Sequence, residues 1–306
     1  MREAARARKH SLVALVQAVW PWTLSVALVV ACAPAVPRDV VAQPTQVDPR
    51  AVVGTWRIEA SPDGELLGAS ASFDAGSFVV EDDCFRAGGQ WRASWSGAFL
   101  ARSVDAQTAC DVPAQPHTEA IPWLDTITAV IVGADDMTFL DAGRSAVARL
   151  SRIAHEPTDS GLLITKVSAV QAGDLDQYAR PAPELPDRLD PKADFTTGDW
   201  VPDLPTDPVA RPSLDFQANG MWYARYDCNG KGGPWALTGE GTFLALVRPD
   251  GAEGEACPTP GFLTALQAAA QAGVDRDSGK LLFLDSDGQV LQSFRRPNSD
   301  DRRRPS

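Results

Sequence analysis

The 306-residue sequence predicts a mainly antiparallel β protein built as two tandem copies, each closed by one helix, and three observations carry that prediction. The first is an internal repeat. Shifting the chain by 144 residues superposes Gly54 and Trp56 on Gly198 and Trp200, Gly76 on Gly220, and Asp83-Cys84 on Asp227-Cys228. The same shift carries Gly88-Gly89, Trp91, Gly97 and Phe99-Leu100-Ala101 onto Gly232-Gly233, Trp235, Gly241 and Phe243-Leu244-Ala245. Nine of the nineteen pairs between 83 and 101 are identical, and the register returns at Phe139-Leu140-Asp141 on Phe283-Leu284-Asp285. The second observation is a succession of strand-length runs separated by Gly, Asp and Ser. The third is one Ala-, Leu- and Gln-rich stretch, 262–272, with the pattern of a helix.

In chain order, the first copy offers strands over 52–60, 69–73, 77–82, 90–96 and 98–103. In the second, 222–226 alternates in strand fashion, and Thr259-Pro260 supplies a cap and a first-turn proline for the helix over 262–272. The matching stretch 123–132 holds enough Ile, Thr and Val to read as a strand by itself, but its homology to the second copy predicts a helix. Segments 280–284 and 289–294 form a hairpin across Asp287-Gly288, repeated by 137–140 and 146–150. An apolar run over 162–170 reads as an edge strand of the first copy or an interdomain lid. The chain then divides into a leader (1–31), a proline-rich tether (32–50), a first domain (51–153), a connecting segment with a proline-rich linker at 180–192 (154–194), a second domain (195–297) and a disordered tail (298–306).

The formal charge is −12, and removing the first 31 residues leaves −15. Such a chain repels phosphate backbones, which excludes nucleic acid as a partner. A basic start followed by apolar residues 11–30 has the anatomy of an export signal. Val29-Val30-Ala31-Cys32 resembles the lipobox of bacterial lipoproteins, which makes Cys32 the lipid anchor and places the protein on the outer face of the cytoplasmic membrane. An uncleaved membrane helix or an ordinary signal cleaved near Ala33-Pro34 are the alternatives. Five cysteines are then one anchor and two pairs. Because the duplication keeps the cysteine order and export favours oxidation, the pairs are Cys84 with Cys110 and Cys228 with Cys257.

Taken together, the Gly-x-Trp first strands (Gly54-Thr55-Trp56, Gly198-Asp199-Trp200), the Asp-Cys-Asn-Gly of 227–230 followed by Gly233 and Trp235, Ala256-Cys257 and the Leu-Phe-Leu-Asp strand resemble the META (HslJ-like) domain family. The resemblance covers most of 195–296 and, less closely, 51–152, where Phe85 stands in place of the asparagine. It implies a small lipocalin-like antiparallel barrel or curled sheet with a helix across it. Tandem META-like domains behind a lipobox look like actinobacterial envelope lipoproteins. The family has no well-defined chemistry, so the resemblance implies architecture and compartment more than mechanism.

No catalytic constellation emerges from the sequence. Neither His117 nor His155 has a counterpart in the second copy, and a nucleophilic enzyme needs a base beside its nucleophile. Glu81-Asp82-Asp83 fails as a shared carboxylate site because Arg225 and Tyr226 replace its first two members, so Asp83 and Asp227 read as turn residues. The aspartates of 275–279 and 285–288 lack the spacing of calcium loops and read as hairpin turns. Trp56, Trp91, Trp200 and Trp235 match between copies and read as core, while Trp95, Trp123 and Trp222 do not match and are read as packing or, alternatively, as the lining of a ligand mouth. No metal or cofactor is expected. The function predicted is that of a non-enzymatic envelope lipoprotein presenting a surface to another envelope protein. The alternative is a lipocalin-like carrier whose interior holds a small apolar ligand.

Overall fold

The computed structural model describes residues 46–62, 64, 66–108, 121–153, 180–192, 196–203, 212–226, 229–247 and 261–298. The first repeat is a meander of eight antiparallel strands: β1 (Gly54–Ala60), β2 (Ser70–Phe73), β3 (Ser77–Glu81), β4 (Phe85–Ala93), β5 (Phe99–Thr108), β6 (Ala129–Val132), β7 (Asp136–Leu140) and β8 (Ala146–Arg152). Their spatial order is 5-4-3-2-1-8-7-6. The sheet curls until its first and last strands meet, where Phe99 N–H donates to Thr128 O (3.0 Å) and Val130 N–H to Gly97 O (2.9 Å). Because β5 then runs on without β6, closure is confined to one end, and the result is a half-barrel.

The second repeat repeats this plan with β10 (Gly198–Pro202), β11 (Ser213–Phe216), β12 (Met221–Tyr226), β13 (Asn229–Leu237), β14 (Phe243–Ala245), β15 (Gln271–Asp275), β16 (Leu281–Leu284) and β17 (Val290–Arg295). Closure is made by the equivalent bonds, Phe243 N–H to Ala270 O and Ala272 N–H to Gly241 O, both 2.9 Å. A ninth strand is added by β9 (Leu189–Asp190), which pairs with Val274 and Asp275.

Several elements differ from the sequence-based expectation. The predicted helix in each repeat is found only in the second, as α1 (Gly261–Ala268), and it is shorter than 262–272 because Gln271–Asp275 is a strand. In the first repeat the equivalent stretch is a 3-10 turn (Pro122–Thr126) followed by β6. There the β-branched run of Ile127 to Val132 follows its own propensity and pairs with β7. The end of the predicted tether is folded: Asp48 caps a 3-10 turn (Pro49–Val52) by accepting from Arg50 N–H at 2.9 Å, and Val47, Pro49 and Val52 are buried. The proline-rich stretch 180–192, expected as a linker, lies as a strap on the second sheet. Strand β4 begins earlier than the expected 90–96, and both β4 and β13 run through their glycine pairs. The reason for glycine there is the close passage of the neighbouring strand: a Cβ on Gly89 would sit 2.1 Å from Arg102 O, and one on Gly233 only 1.9 Å from Leu246 O.

The two long hairpin turns were legible. Asp141 and Asp285 each accept from a backbone N–H four residues on, of Ser145 and Gln289 respectively, both at 2.8 Å. Position 144 of the first turn is arginine at φ +64°, whereas its repeat partner Gly288 takes φ +77°. An L side chain at positive φ costs on the order of 1 kcal/mol. Arg144→Gly is therefore expected to stabilise the protein by up to about 1 kcal/mol, read as a raised midpoint of urea unfolding with unchanged slope.

Both repeats belong to one compact unit, and they meet through equivalent elements. Ala98 and Leu100 of the first repeat form a cluster with Leu244, Leu246 and the half-buried Ala236 of the second. Leu100 and Leu244 are themselves repeat partners, so the seam has the isologous character of a two-fold dimer contact.

Candidate functional site

The Gly-x-Trp motif acquires a physical reason from an arginine that lies over its ring. Trp56 donates its indole N–H to Val52 O (2.9 Å), and Trp200 donates to Thr196 O (2.7 Å). Over each ring lies an arginine from the last strand or just beyond it: Arg152 at 4.1 Å from the centroid of Trp56, and Arg296 at 3.9 Å from that of Trp200. These arginines are also 144 residues apart. A Cβ on Gly54 would come within 2.7 Å of Arg152 Nη1, and one on Gly198 within 3.0 Å of Arg296 Nη1. The glycine thus leaves room for the guanidinium that covers the ring, a cation–π seal at the start of each half-barrel.

The interiors are filled by a repeated set of four rings. Phe73, Trp91, Phe99 and Phe139 pack together in the first repeat, with Phe99 and Phe139 centroids 4.8 Å apart. Phe216, Trp235, Phe243 and Phe283 do so in the second, with Phe243 and Phe283 4.9 Å apart. Trp91 and Trp235 tie this set to the turn before them, by N–H bonds to Asp74 O and Ser77 O and to Gln217 O and Met221 O. Of the unmatched tryptophans, Trp123 and Trp222 are core residues and Trp95 is half-buried. Trp222 replaces Phe78 and donates to Leu246 O at 3.0 Å.

Predicted site residues fall mostly outside the described residues: Cys32, Cys110, Cys228, Cys257, His117, His155, Asp227 and the run 162–170 all do. Cys84 is described, and it is held in a disulfide whose other half lies outside the described residues. Asp83 lies in the turn between β3 and β4 as expected, and its neighbour Asp82 caps that turn, its Oδ1 accepting from Cys84 N–H (2.8 Å) and Phe85 N–H (2.7 Å). The aspartates of 275–279 organise a turn as expected. Asp275 Oδ1 accepts from Asp277 N–H, Ser278 N–H and Ser278 Oγ–H at 2.9 to 3.1 Å.

Three carboxylates, Asp48 beside Arg50, Asp203 and Asp275, hold pKa values below the ordinary one. The hydrogen bond from Lys280 Nζ, 2.5 Å away, lowers that of Asp203, with help from Ser293 Oγ. The bonds from Ser278 lower that of Asp275, with help from Arg188. A carboxyl held below its unfolded value contributes stability in full above that value and loses it as pH falls through the folded one. Stability is therefore expected to decline from about pH 4 downward. Asp203→Asn should flatten this decline in urea titrations between about pH 5 and pH 3.

At the seam between repeats, Arg92 of β4 crosses into the second repeat: Nη1 donates to Ala245 O at 3.0 Å and Nη2 to Ala269 O at 3.5 Å. Beside it, Ser94, Ser96 and Thr242 form a hydroxyl chain, with Ser96 Oγ 2.9 Å from Ser94 Oγ and 3.2 Å from Thr242 Oγ1. Neither feature was visible in the sequence, because the repeat partner of Arg92 is Ala236 and nothing in a sequence marks a contact 153 residues away. Among the described residues no group of three or more His, Cys, Asp or Glu side chains is placed to hold a metal ion, and no helix is long and apolar enough to cross a membrane. No family model, curated protein or solved structure matches this chain.

Proposed function

We propose that the chain is a non-enzymatic, membrane-anchored envelope lipoprotein with two META (HslJ-like) domains that present a binding surface to another component of the cell envelope. In this reading the leader 1–31 is removed and Cys32 carries the lipid, so the two half-barrels stand on the outer face of the cytoplasmic membrane. The observation that carries the surface role is the repeated set of four rings. A carrier of a small apolar ligand needs an interior of several hundred Å3 left open, and here the inward positions hold Phe, Trp and Phe side chains that pack on one another. Recognition is then left to the outside of the sheets. The Cys84 disulfide supports an oxidising compartment, and in this reading the bridges are Cys84–Cys110 and Cys228–Cys257, one in each repeat.

The intact mass of protein extracted from membranes decides the anchor: the expected amino terminus is a diacylated Cys32, and any other terminus overturns it. Non-reducing peptide mapping is expected to return the 84–110 and 228–257 linkages. A bridge from Cys84 to Cys228 would overturn the pairing.

A further inference from the structure

We propose that the second half-barrel carries a groove for an extended peptide on its outer face, and that the strap 180–192 occupies this groove in cis as a built-in competitor. The proposal rests on the reading of this chain as one that presents a surface, and it names the chemistry of what that surface takes.

The groove is a shaped seat. Its floor is the apolar outer side of β16, where Leu282 and Leu284 cluster with Leu189 and the half-buried Leu185 of the strap. Three glycines give the strap its room. A Cβ on Gly241 would meet Leu185 Cδ2 at 2.6 Å, one on Gly273 would meet Leu189 Cβ at 3.0 Å, and one on Gly288 would meet Pro183 Cγ at 3.1 Å. One wall is the edge of β15, which takes Leu189 and Asp190 as a short antiparallel strand and gains a further bond from Arg276 N–H to Arg188 O (2.9 Å). The buried Gln271 donates from Nε2 to Pro183 O at 2.7 Å. Charges alternate across the contact: Arg188 faces Asp275 at 3.5 Å, and Arg276 faces Asp190 at 3.9 Å.

Apart from Gly241 and Leu284, which Gly97 and Leu140 match, this seat belongs to the second repeat alone. In the first, Ile131 stands at the place of Gly273, Arg144 at that of Gly288, Ala129 at that of Gln271 and Thr138 at that of Leu282. The outer faces of the two repeats therefore differ, and that of the second leaves room for an extended chain. Addition of a strand to a sheet edge, with pockets for alternate side chains, is a general mode of peptide recognition. The strap is held by a two-residue strand, the Gln271 and Arg276 hydrogen bonds, two leucines, and ion pairs whose arginines are about 60% exposed and so contribute little. The peptide that fits has the chemistry of the strap, an extended proline-containing segment with aliphatic side chains four residues apart, a base before the second and a carboxylate after it.

The test uses the full mature chain and a fluorescein-labelled synthetic peptide with the sequence of residues 180–192. In the strap variant Leu185→Ser/Leu189→Ser the cis competitor is weakened, and the peptide is expected to bind saturably, about tenfold or more tighter than to the unaltered protein. Adding Gly273→Val to that variant fills the seat and is expected to abolish binding. No binding to a strap variant that still unfolds cooperatively overturns the proposal, as does equal binding to both proteins. Amide exchange on the unaltered protein tests the same point without any variant. The Arg276 N–H, held by the strap, is expected to exchange about tenfold or more faster than the Ala272 N–H, held by Gly241 O within the sheet closure. Equal protection of the two would mean that the strap leaves only on global unfolding, and the proposal fails. The amino-terminal mass of the lipoprotein is a separate measurement, so failure of the anchor and failure of the groove are told apart.

Discussion

Phe243→Ala is expected to destabilise the protein by about 3–5 kcal/mol. Phe243 is fully buried and sits within 4.9 to 6.5 Å, centroid to centroid, of Phe216, Trp235 and Phe283. Truncation leaves a cavity whose walls are rigid rings and sheet backbone, which relax little, so the cavity cost adds to the lost transfer energy. The backbone of the same residue closes the half-barrel through its N–H to Ala270 O, so loosening the ring also loosens the closure. The unfolding midpoint should fall by on the order of 10 °C. Phe99→Ala at the equivalent place should cost a similar amount, because three equivalent rings, Phe73, Trp91 and Phe139, surround it. A loss below about 1 kcal/mol for either would mean that the interior re-closes or was never tightly filled, and would return the apolar-ligand carrier to contention.

Much of this interior was legible in the sequence because duplication printed it twice. Matched Trp91 and Trp235, Phe99 and Phe243, Phe139 and Phe283 are all core, and the terminal hairpins fall where alternating residues and Asp turns place them. Repetition also misled. It carried a helix from 262–272 back onto 123–132, where the two repeats in fact diverge: Phe262 of α1 packs on Phe294 in the second, whereas Leu150 stands in place of Phe294 in the first and Trp123 of the 3-10 turn reaches Phe139 instead. The same volume is filled from two different backbones, which a pairwise alignment cannot reveal. Composition misled at 180–192, because proline and charge mark a chain that makes no sheet core but do not exclude one that lies along a sheet edge. The covering arginines, Arg152 and Arg296, stand in register at 144 residues, but a single arginine at the end of a strand run carries no mark in the sequence that it covers a ring. What was illegible in principle is the polar reach across the seam, which comes from one residue that the repeat does not share.

That residue, Arg92, carries the second large expectation. Its side chain is buried at 9% exposure and reaches two carbonyls of the other repeat. Ala269 follows the last turn of α1, where helix carbonyls lack intrahelical donors and the dipole is negative. A guanidinium there supplies donors and compensating charge together. Arg92→Ala removes both, leaves the carbonyls of Ala245 and Ala269 short of donors in a closed seam, and opens a void beside them. The expected cost is about 2–4 kcal/mol. Arg92→Met separates the two contributions, because it restores most of the volume and none of the donors. If the hydrogen bonds dominate, the methionine variant remains close to the alanine one; if packing dominates, it recovers most of the loss. Because the cost arises at the seam, Arg92→Ala should also speed amide exchange at Leu246, whose N–H bonds Pro234 O, while leaving that of Trp56 in the far strand of the first repeat unchanged. Uniform acceleration of both would place the role of Arg92 in its own repeat and not between the two.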